Sequence, residues 1–281
     1  MIAGKRSTLL ATIGLTTLAW GLMILFLMPM VLMALTAFKP ESDVLSIPPQ
    51  ILPSRLTLDN FDRILVRGSF PTYLRNSAIA ASISTVLSLV IGYLAAYALT
   101  RFRFPGRDLL SQAILLAYMF PGVLLLVPLF LIFFRLHLVD SMTGLVVAYL
   151  TFSLPLSIWL LKGFIAAVPV DLEEAALLDG CGRLRAMWDI CLPLTLPGTV
   201  SVGAFAFILA WSDYVFAITL INSENLRTVT AGIRTLTTGP FGIQYGIIMA
   251  GATVTALPVI VLFAIFQRFI VGGLVSGGVK G

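Results

Sequence analysis

Residues 76–100 read NSAIAASISTVLSLVIGYLAAYALT, 25 consecutive positions without Lys, Arg, Asp or Glu. At about 1.5 Å per residue, a helix of that length exceeds the roughly 30 Å of a bilayer's hydrocarbon core. Five more windows lack charge in the same way: 7–38, 109–134, 141–161, 190–212 and 235–267. Each of the six holds 21 residues or more, enough for one crossing. Trimmed at their ends, they predict helices at roughly 12–36, 72–99, 109–134, 142–162, 195–221 and 243–268. Strands of a membrane barrel alternate apolar and polar residues over about ten positions, and these windows are continuously apolar. The predicted class is all-α: a polytopic membrane protein with six transmembrane helices in a single domain, 1–281.

Composition agrees with the windows. Of 281 residues, 59% are hydrophobic and 11% are charged, against about 25% charged in ordinary soluble domains. Mean hydropathy is +1.02. Too little polar surface is available for a soluble enzyme, a disordered tail or a disulfide-rich module. The net charge of +5 comes from 18 Lys and Arg against 13 Asp and Glu. The densest basic cluster is Arg101, Arg103 and Arg107, short of a nucleic-acid-binding run, so no nucleic-acid partner is expected. Cys181 and Cys191 stand ten positions apart, far from the single His137, so no metal site is expected.

Lys5 and Arg6 precede an apolar stretch far longer than a signal peptide's core, which predicts an uncleaved first helix. Ten of the 18 basic residues fall on the N-terminal side of the membrane. The short 100–108 loop alone holds three, which favours both termini in the cytoplasm. Pro29, Pro121, Pro128, Pro155 and Pro258 lie inside windows. Each is a candidate kink, although proline is also simply commoner in membrane helices than in soluble ones.

One loop is not generic. Residues 169–193 concentrate charge in a chain that has little. Pro169 suits a helix start, and Asp171, Glu173 and Glu174 occupy a first turn, where the helix dipole favours anions. Residues 175–178 propagate a helix, Gly180 and Gly182 turn it, and 183–190 start another that Pro193 ends. Ala175 and Ala176 allow close backbone approach, and Glu173 and Glu174 beside them suit basic groups on a partner. Interfacial helices resting on lipid are usually basic, so the acids favour docking on a protein.

This loop resembles the EAA loop of ABC importer permeases: E-A-A, three residues, G, nine residues, I-x-L-P. Glu174, Ala175, Ala176, Gly180, Ile190, Leu192 and Pro193 complete it at every spacing. The chain further resembles the second permease subunit of the maltose-type carbohydrate importers over nearly its whole length. Asp59-Asn60-Phe61, the run Tyr-Ala-Leu-Thr-Arg-Phe-Arg-Phe-Pro-Gly at 97–106, and Ala-Trp-Ser-Asp-Tyr at 210–214 carry that likeness. So does the Gly-rich end Gly277-Gly278-Val279-Lys280-Gly281.

The resemblance implies an importer-permease (maltose-transporter-like) fold in a bacterial plasma (inner) membrane. It implies a sister six-helix-core permease, two cytoplasmic ATPase subunits, an extracytoplasmic solute-binding protein and a carbohydrate substrate. Within it, the 169–193 loop couples to the ATPase, and the 269–281 tail, with Gly277, Gly278, Lys280 and Gly281, reaches the ATPase dimer. No lysine completes a G-x-x-x-x-G-K-[ST] P-loop. ATP and Mg²⁺ are therefore expected on the partner ATPase, with no cofactor and no catalytic site on this chain.

Asp213 lies inside the fifth predicted helix, 195–221, where an acid is costly. It lines the pathway, bonds a helix terminus of the sister subunit, or sits solvated near the outer interface. Trp211, Tyr214 and Asn222 share its neighbourhood, and aromatic faces with polar partners suit sugar rings as well as membrane interfaces. The polar 222–242 loop either probes the binding protein or is a solvated connection. A non-sugar solute, such as an amino acid, a phosphate ester or a polyamine, remains open. An ion-coupled secondary transporter would leave the loop unexplained, and an intramembrane enzyme would need a nucleophile and base or metal ligands within the helices, whereas the only His is in a short loop and no H-E-x-x-H appears.

Overall fold

The computed structural model describes residues 2–48, 50–237 and 243–278, with side chains over 12–48, 50–235 and 243–267. No β-strand occurs among the described residues. The helices are α1 (Ile2–Ala37), α2 (Glu41–Val44), α3 (Asp59–Leu65), α4 (Phe70–Arg101), α5 (Arg107–Met119), α6 (Leu126–Arg135) and α7 (Met142–Ala166). They continue as α8 (Val170–Leu178), α9 (Arg183–Ala186), α10 (Leu192–Ser212), α11 (Val215–Leu220), α12 (Val229–Ile233) and α13 (Tyr245–Gly278). Among the described residues, five long segments are apolar enough to cross a membrane, and the bent pair α5 and α6 makes a sixth if it is one span.

Two compact units divide the chain, residues 1–70 with 233–256, and residues 71–232 with 257–281. In the first unit, α1 exposes its large apolar side chains from Ile13 to Val31, as a helix facing lipid or another chain does. Asn60 closes its C-terminal end. Its Nδ2 donates to the carbonyls of Ala37 at 2.9 Å and Lys39 at 2.8 Å. The ring of Phe61 packs 4.8 Å from that of Phe38.

The second unit holds a core in which Tyr93, Ala96, Tyr97 and Leu99 of α4 meet Ile158, Leu161 and Ile165 of α7. Met187, Cys191 and Val202 complete it. Polar pairs fix the register between helices. Ser88 and Ser157 hydroxyls lie 3.0 Å apart, Tyr93 and Thr195 hydroxyls 2.9 Å. Lys162 of α7 donates to Ser111 of α5 at 2.6 Å. Such bonds and small residues are how membrane helices lock together without a hydrophobic drive between them.

Three expectations are corrected. The third span, expected whole over 109–134, is two helices meeting at 93° across a 3₁₀ turn, Gly122–Leu125. Phe120 is extended (ψ 129°), the conformation a following proline imposes, and Pro121 offers no N–H to continue the helix. The fifth span, expected over 195–221, stops at Ser212, because Asp213 turns extended (ψ 132°) and α11 begins afresh. Pro193 does not end a helix. From Arg183 to Ser212 the path is one 30-residue helix, with a π turn at Met187–Cys191 immediately before the proline. That turn re-pairs the backbone one residue further back, Leu192 N–H bonding Met187 C=O, so the proline enters at the start of the next turn instead of inside a regular ladder.

Candidate functional site

The 169–193 loop forms a helix–corner–helix. Pro169 is extended and α8 starts after it, with Asp171 and Glu173 in its first turn. At its other end Gly180 has φ +89°, the left-handed conformation. Gly180 N–H bonds Leu177 C=O at 3.1 Å and Cys181 N–H bonds Ala176 C=O at 3.0 Å. This pair of bonds is a Schellman cap, which satisfies the last carbonyls and turns the chain sharply. Gly182, by contrast, has φ −75°.

The two acids of this helix separate. Glu174 is exposed, with exposed Ala175 and half-buried Ala176 beside it. Glu173, expected to face outward with Glu174, points into the protein and is 5% exposed. Its Oε1 accepts from Arg101 Nε at 2.7 Å, and its Oε2 accepts from the Tyr97 hydroxyl at 2.6 Å. Arg101 Nη2 donates to the Val168 carbonyl at 2.8 Å. One acid therefore ties α8 to the end of α4, and the other stays free on the outer surface. Ile190 and Leu192 are half-buried, and Pro193 is exposed on the helix that carries α9 into α10.

Tyr97 and Arg101 are the functional residues that sequence reasoning missed. In the sequence Arg101 stands in the basic cluster of the 100–108 loop and in the 97–106 run, neither of which points to Glu173. The signal was the i, i+4 spacing of Tyr97 and Arg101 at the end of a span, which puts both side chains on one helix face.

The expected pathway residues do not converge on one arrangement. Trp211 is 4% exposed and stacks on Phe207 with centroids 5.6 Å apart. Asp213 does bond a helix terminus, but one of this chain. It accepts from Phe216 N–H at 3.3 Å and Ala217 N–H at 3.0 Å, capping α11. Carboxylates fit there because these N–H groups have no partner within the helix. Tyr214 and Asn222 are exposed. Of the tail, Gly277 and Gly278 lie within α13, while Lys280 and Gly281 lie outside the described residues.

A second carboxylate organises the opposite connection. Asp140 has φ +57°, tolerated by Asp better than by most side chains. Its carboxylate accepts from the Ser223 hydroxyl, from Ser223 N–H at 2.8 Å and from Asn222 N–H at 2.9 Å. The Ser223 hydroxyl first, then these N–H groups, holds the Asp140 carboxyl below the usual carboxylate range. The next residues rest on α4. Asn76 Nδ2 donates to Asn225 C=O at 2.8 Å and Arg227 C=O at 2.9 Å, and the Tyr73 hydroxyl donates to Glu224 at 3.0 Å.

In the second unit, apolar helices carry a helix–corner–helix braced on their core through Glu173 and Arg101. Residues 88–275 match the family described as binding-protein-dependent transport system inner membrane component. The chain belongs to that family, the inner membrane permease subunits of ABC importers. It is 38% identical to the inner membrane ABC transporter permease protein YcjP of Escherichia coli, over 92% of this chain and 93% of that one. It is 39% identical to the trehalose transport system permease protein SugB of Mycobacterium tuberculosis over the full length of both. Its fold matches a chain from the crystal structure of a bacterial ABC transporter that imports the acidic polysaccharide alginate. The TM-score is 0.81 at 21% identity, covering 94% of this chain and 97% of that one.

Proposed function

We propose that this chain is one of two permeases in an ATP-driven carbohydrate importer. It forms half of the translocation pathway and couples that pathway to separate ATPase subunits. The observation that carries the reading is the division of labour in α8. Buried Glu173 fixes the helix to Arg101 of α4, while exposed Glu174 and Ala175, with half-buried Ala176, present a low, acidic surface. A helix held rigidly from behind and open in front transmits a push from a docked protein into the spans.

The remaining assignments follow. Both termini and the 169–193 loop face the cytoplasm, where two ATPase subunits bind ATP and Mg²⁺. Gly180 sets the corner, and Ile190, Leu192 and Pro193 connect it to α10. The tail reaches toward the ATPase dimer. A sister permease supplies the other half of the pathway, and an extracytoplasmic binding protein delivers the solute. Differential docking of the ATP-bound and ATP-free ATPases shifts the permease pair between outward-open and inward-open states. Carbohydrate is the favoured substrate class on two grounds: the family resemblance of the sequence, and the trehalose transport named for SugB.

The test is co-purification. Tagged chain from gently solubilised membranes should bring an ATPase and a second permease. Glu174→Lys with Ala176→Trp should lose the ATPase and keep the sister permease. A chain that emerges alone, with uptake independent of ATP, would overturn the proposal.

A further inference from the structure

Between the end of α4, the turn at 102–106 and the α8–α9 corner lies a cavity of about 600 Å³. Arg101, Arg103, Arg107 and Arg183 line it, with Glu173 and Glu174 as the acids. Four guanidinium groups against two carboxylates leave a positive surplus. Arg101 is taken up by Glu173, and Arg107 by Asp108 at 3.0 Å. Arg183 stacks its guanidinium on the Phe102 ring, 5.5 Å from the centroid. Among the described residues neither Arg103 nor Arg183 has a carboxylate at ion-pair distance, and both are exposed. Their planar donor forks are free for an oxyanion, and bidentate binding of phosphate suits arginine better than lysine.

The surroundings choose the source of that oxyanion. A second recess, lined by Arg103, Phe104, Arg107 and Leu109, shares two arginines with the cavity. Beside it Phe104 is 40% exposed, Leu109 72% and Leu110 48%. This is apolar surface adjoining arginine at the end of a spanning helix. A dissolved anion gains nothing from the apolar flank. A phospholipid uses both, its phosphate on the guanidinium groups and its acyl chains along Leu109 and Leu110.

We propose that Arg103 and Arg183 bind the headgroup phosphate of an anionic phospholipid, seated between the α4–α5 turn and the α8–α9 corner. Basic pockets at the ends of membrane helices are suited to such headgroups. The site rests on the transporter reading above only for the side of the membrane it faces. Because α8 and α9 form one wall, the lipid touches the corner that docks the ATPase.

The experiment uses the intact transporter in nanodiscs of phosphatidylcholine with graded phosphatidylglycerol. Native mass spectrometry counts retained lipid. Arg103→Gln with Arg183→Gln should lose one phosphatidylglycerol and weaken its binding about tenfold to thirtyfold, the scale of two interfacial arginines. Arg55→Gln with Arg67→Gln should change nothing. A photoactivatable phosphatidylglycerol on the unmodified chain should crosslink within 102–110 or 183–186. Equal retention in both double variants, or crosslinks only elsewhere, overturns the site. Displacement by millimolar inorganic phosphate makes it a free-anion site and overturns the lipid assignment. Joint loss of lipid and ATPase in the Arg103/Arg183 variant assigns the arginines to docking and also overturns it. If the unmodified chain brings no ATPase, the importer reading fails while the lipid count stands on its own.

Discussion

Arg101 Nε stands 2.7 Å from Glu173 Oε1, and each side chain is 7% exposed. The two residues lie 72 positions apart in sequence. This pair is what makes α8 a part of the bundle rather than an appendage.

Removing one partner leaves the other charge buried. Arg101→Ala is expected to cost about 3–5 kcal/mol and to lower the unfolding temperature of the detergent-solubilised protein. Arg101→Met with Glu173→Leu should recover most of that loss, because a matched apolar pair leaves no charge stranded. Unfolding curves for the three proteins check this. Equal stability of Arg101→Ala and the unmodified protein would sink it.

The two glycines of the corner should differ. Gly180 sits at φ +89°, where a Cβ costs about 1–2 kcal/mol. Gly182 at φ −75° has nothing within 4 Å of an added Cβ. Gly180→Ala should therefore weaken ATPase co-purification and stability, and Gly182→Ala should leave both unchanged. Side-by-side pull-downs decide between them.

Asn76 is 3% exposed and donates to two carbonyls of the 224–232 segment. Asn76→Ala strands two acceptors at about 1–3 kcal/mol each. Asn76→Asp should be worse, since it sets a carboxylate against those carbonyls. Limited proteolysis within 222–237 should accelerate in the order Asn, Ala, Asp at this position.

The Asp140 clamp carries a pH dependence. Its carboxyl is held below the usual range, so its contribution is complete above about pH 4, the ordinary aspartate value. The contribution fades as pH falls through the lower folded value. Hydrogen exchange at the Asn222 and Ser223 amides, corrected for intrinsic rates, should lose protection only at strongly acidic pH. Asp140→Asn should show the unprotected pattern at pH 7 and no such acid step.

Much of the architecture was legible because it is written in local composition. Each of the six charge-free windows contains a stretch of helix, and the glycine at 180 turns the chain as its backbone freedom implies. What escaped was set by partners or by backbone bookkeeping. Phe120 breaks a span inside an apolar run, where hydropathy carries no mark of a stop, whereas Asp213 is the charge that closes the 190–212 window, and the helix was expected to run past it to 221. Pro193 looked terminal because the compensating π turn at 187–191 has no composition of its own. Glu173 and Glu174 are identical neighbours in sequence. Only the position of Arg101 on a distant helix assigns one inward and the other outward.

The uninterrupted helix from Arg183 to Ser212 is a rod of about 45 Å. Along it the π turn at Met187–Cys191 shifts the hydrogen-bond register, and Pro197 removes a backbone donor. If the α8–α9 corner docks the ATPase as proposed, a displacement there enters the same helix that ends at Ser212. Its far end is Ser212–Asp213, where the helix stops and the carboxylate of Asp213 holds the start of α11. On that proposal Asp213, for which lining the pathway was one of three expected roles, marks the far end of the stroke that enters beside Glu174.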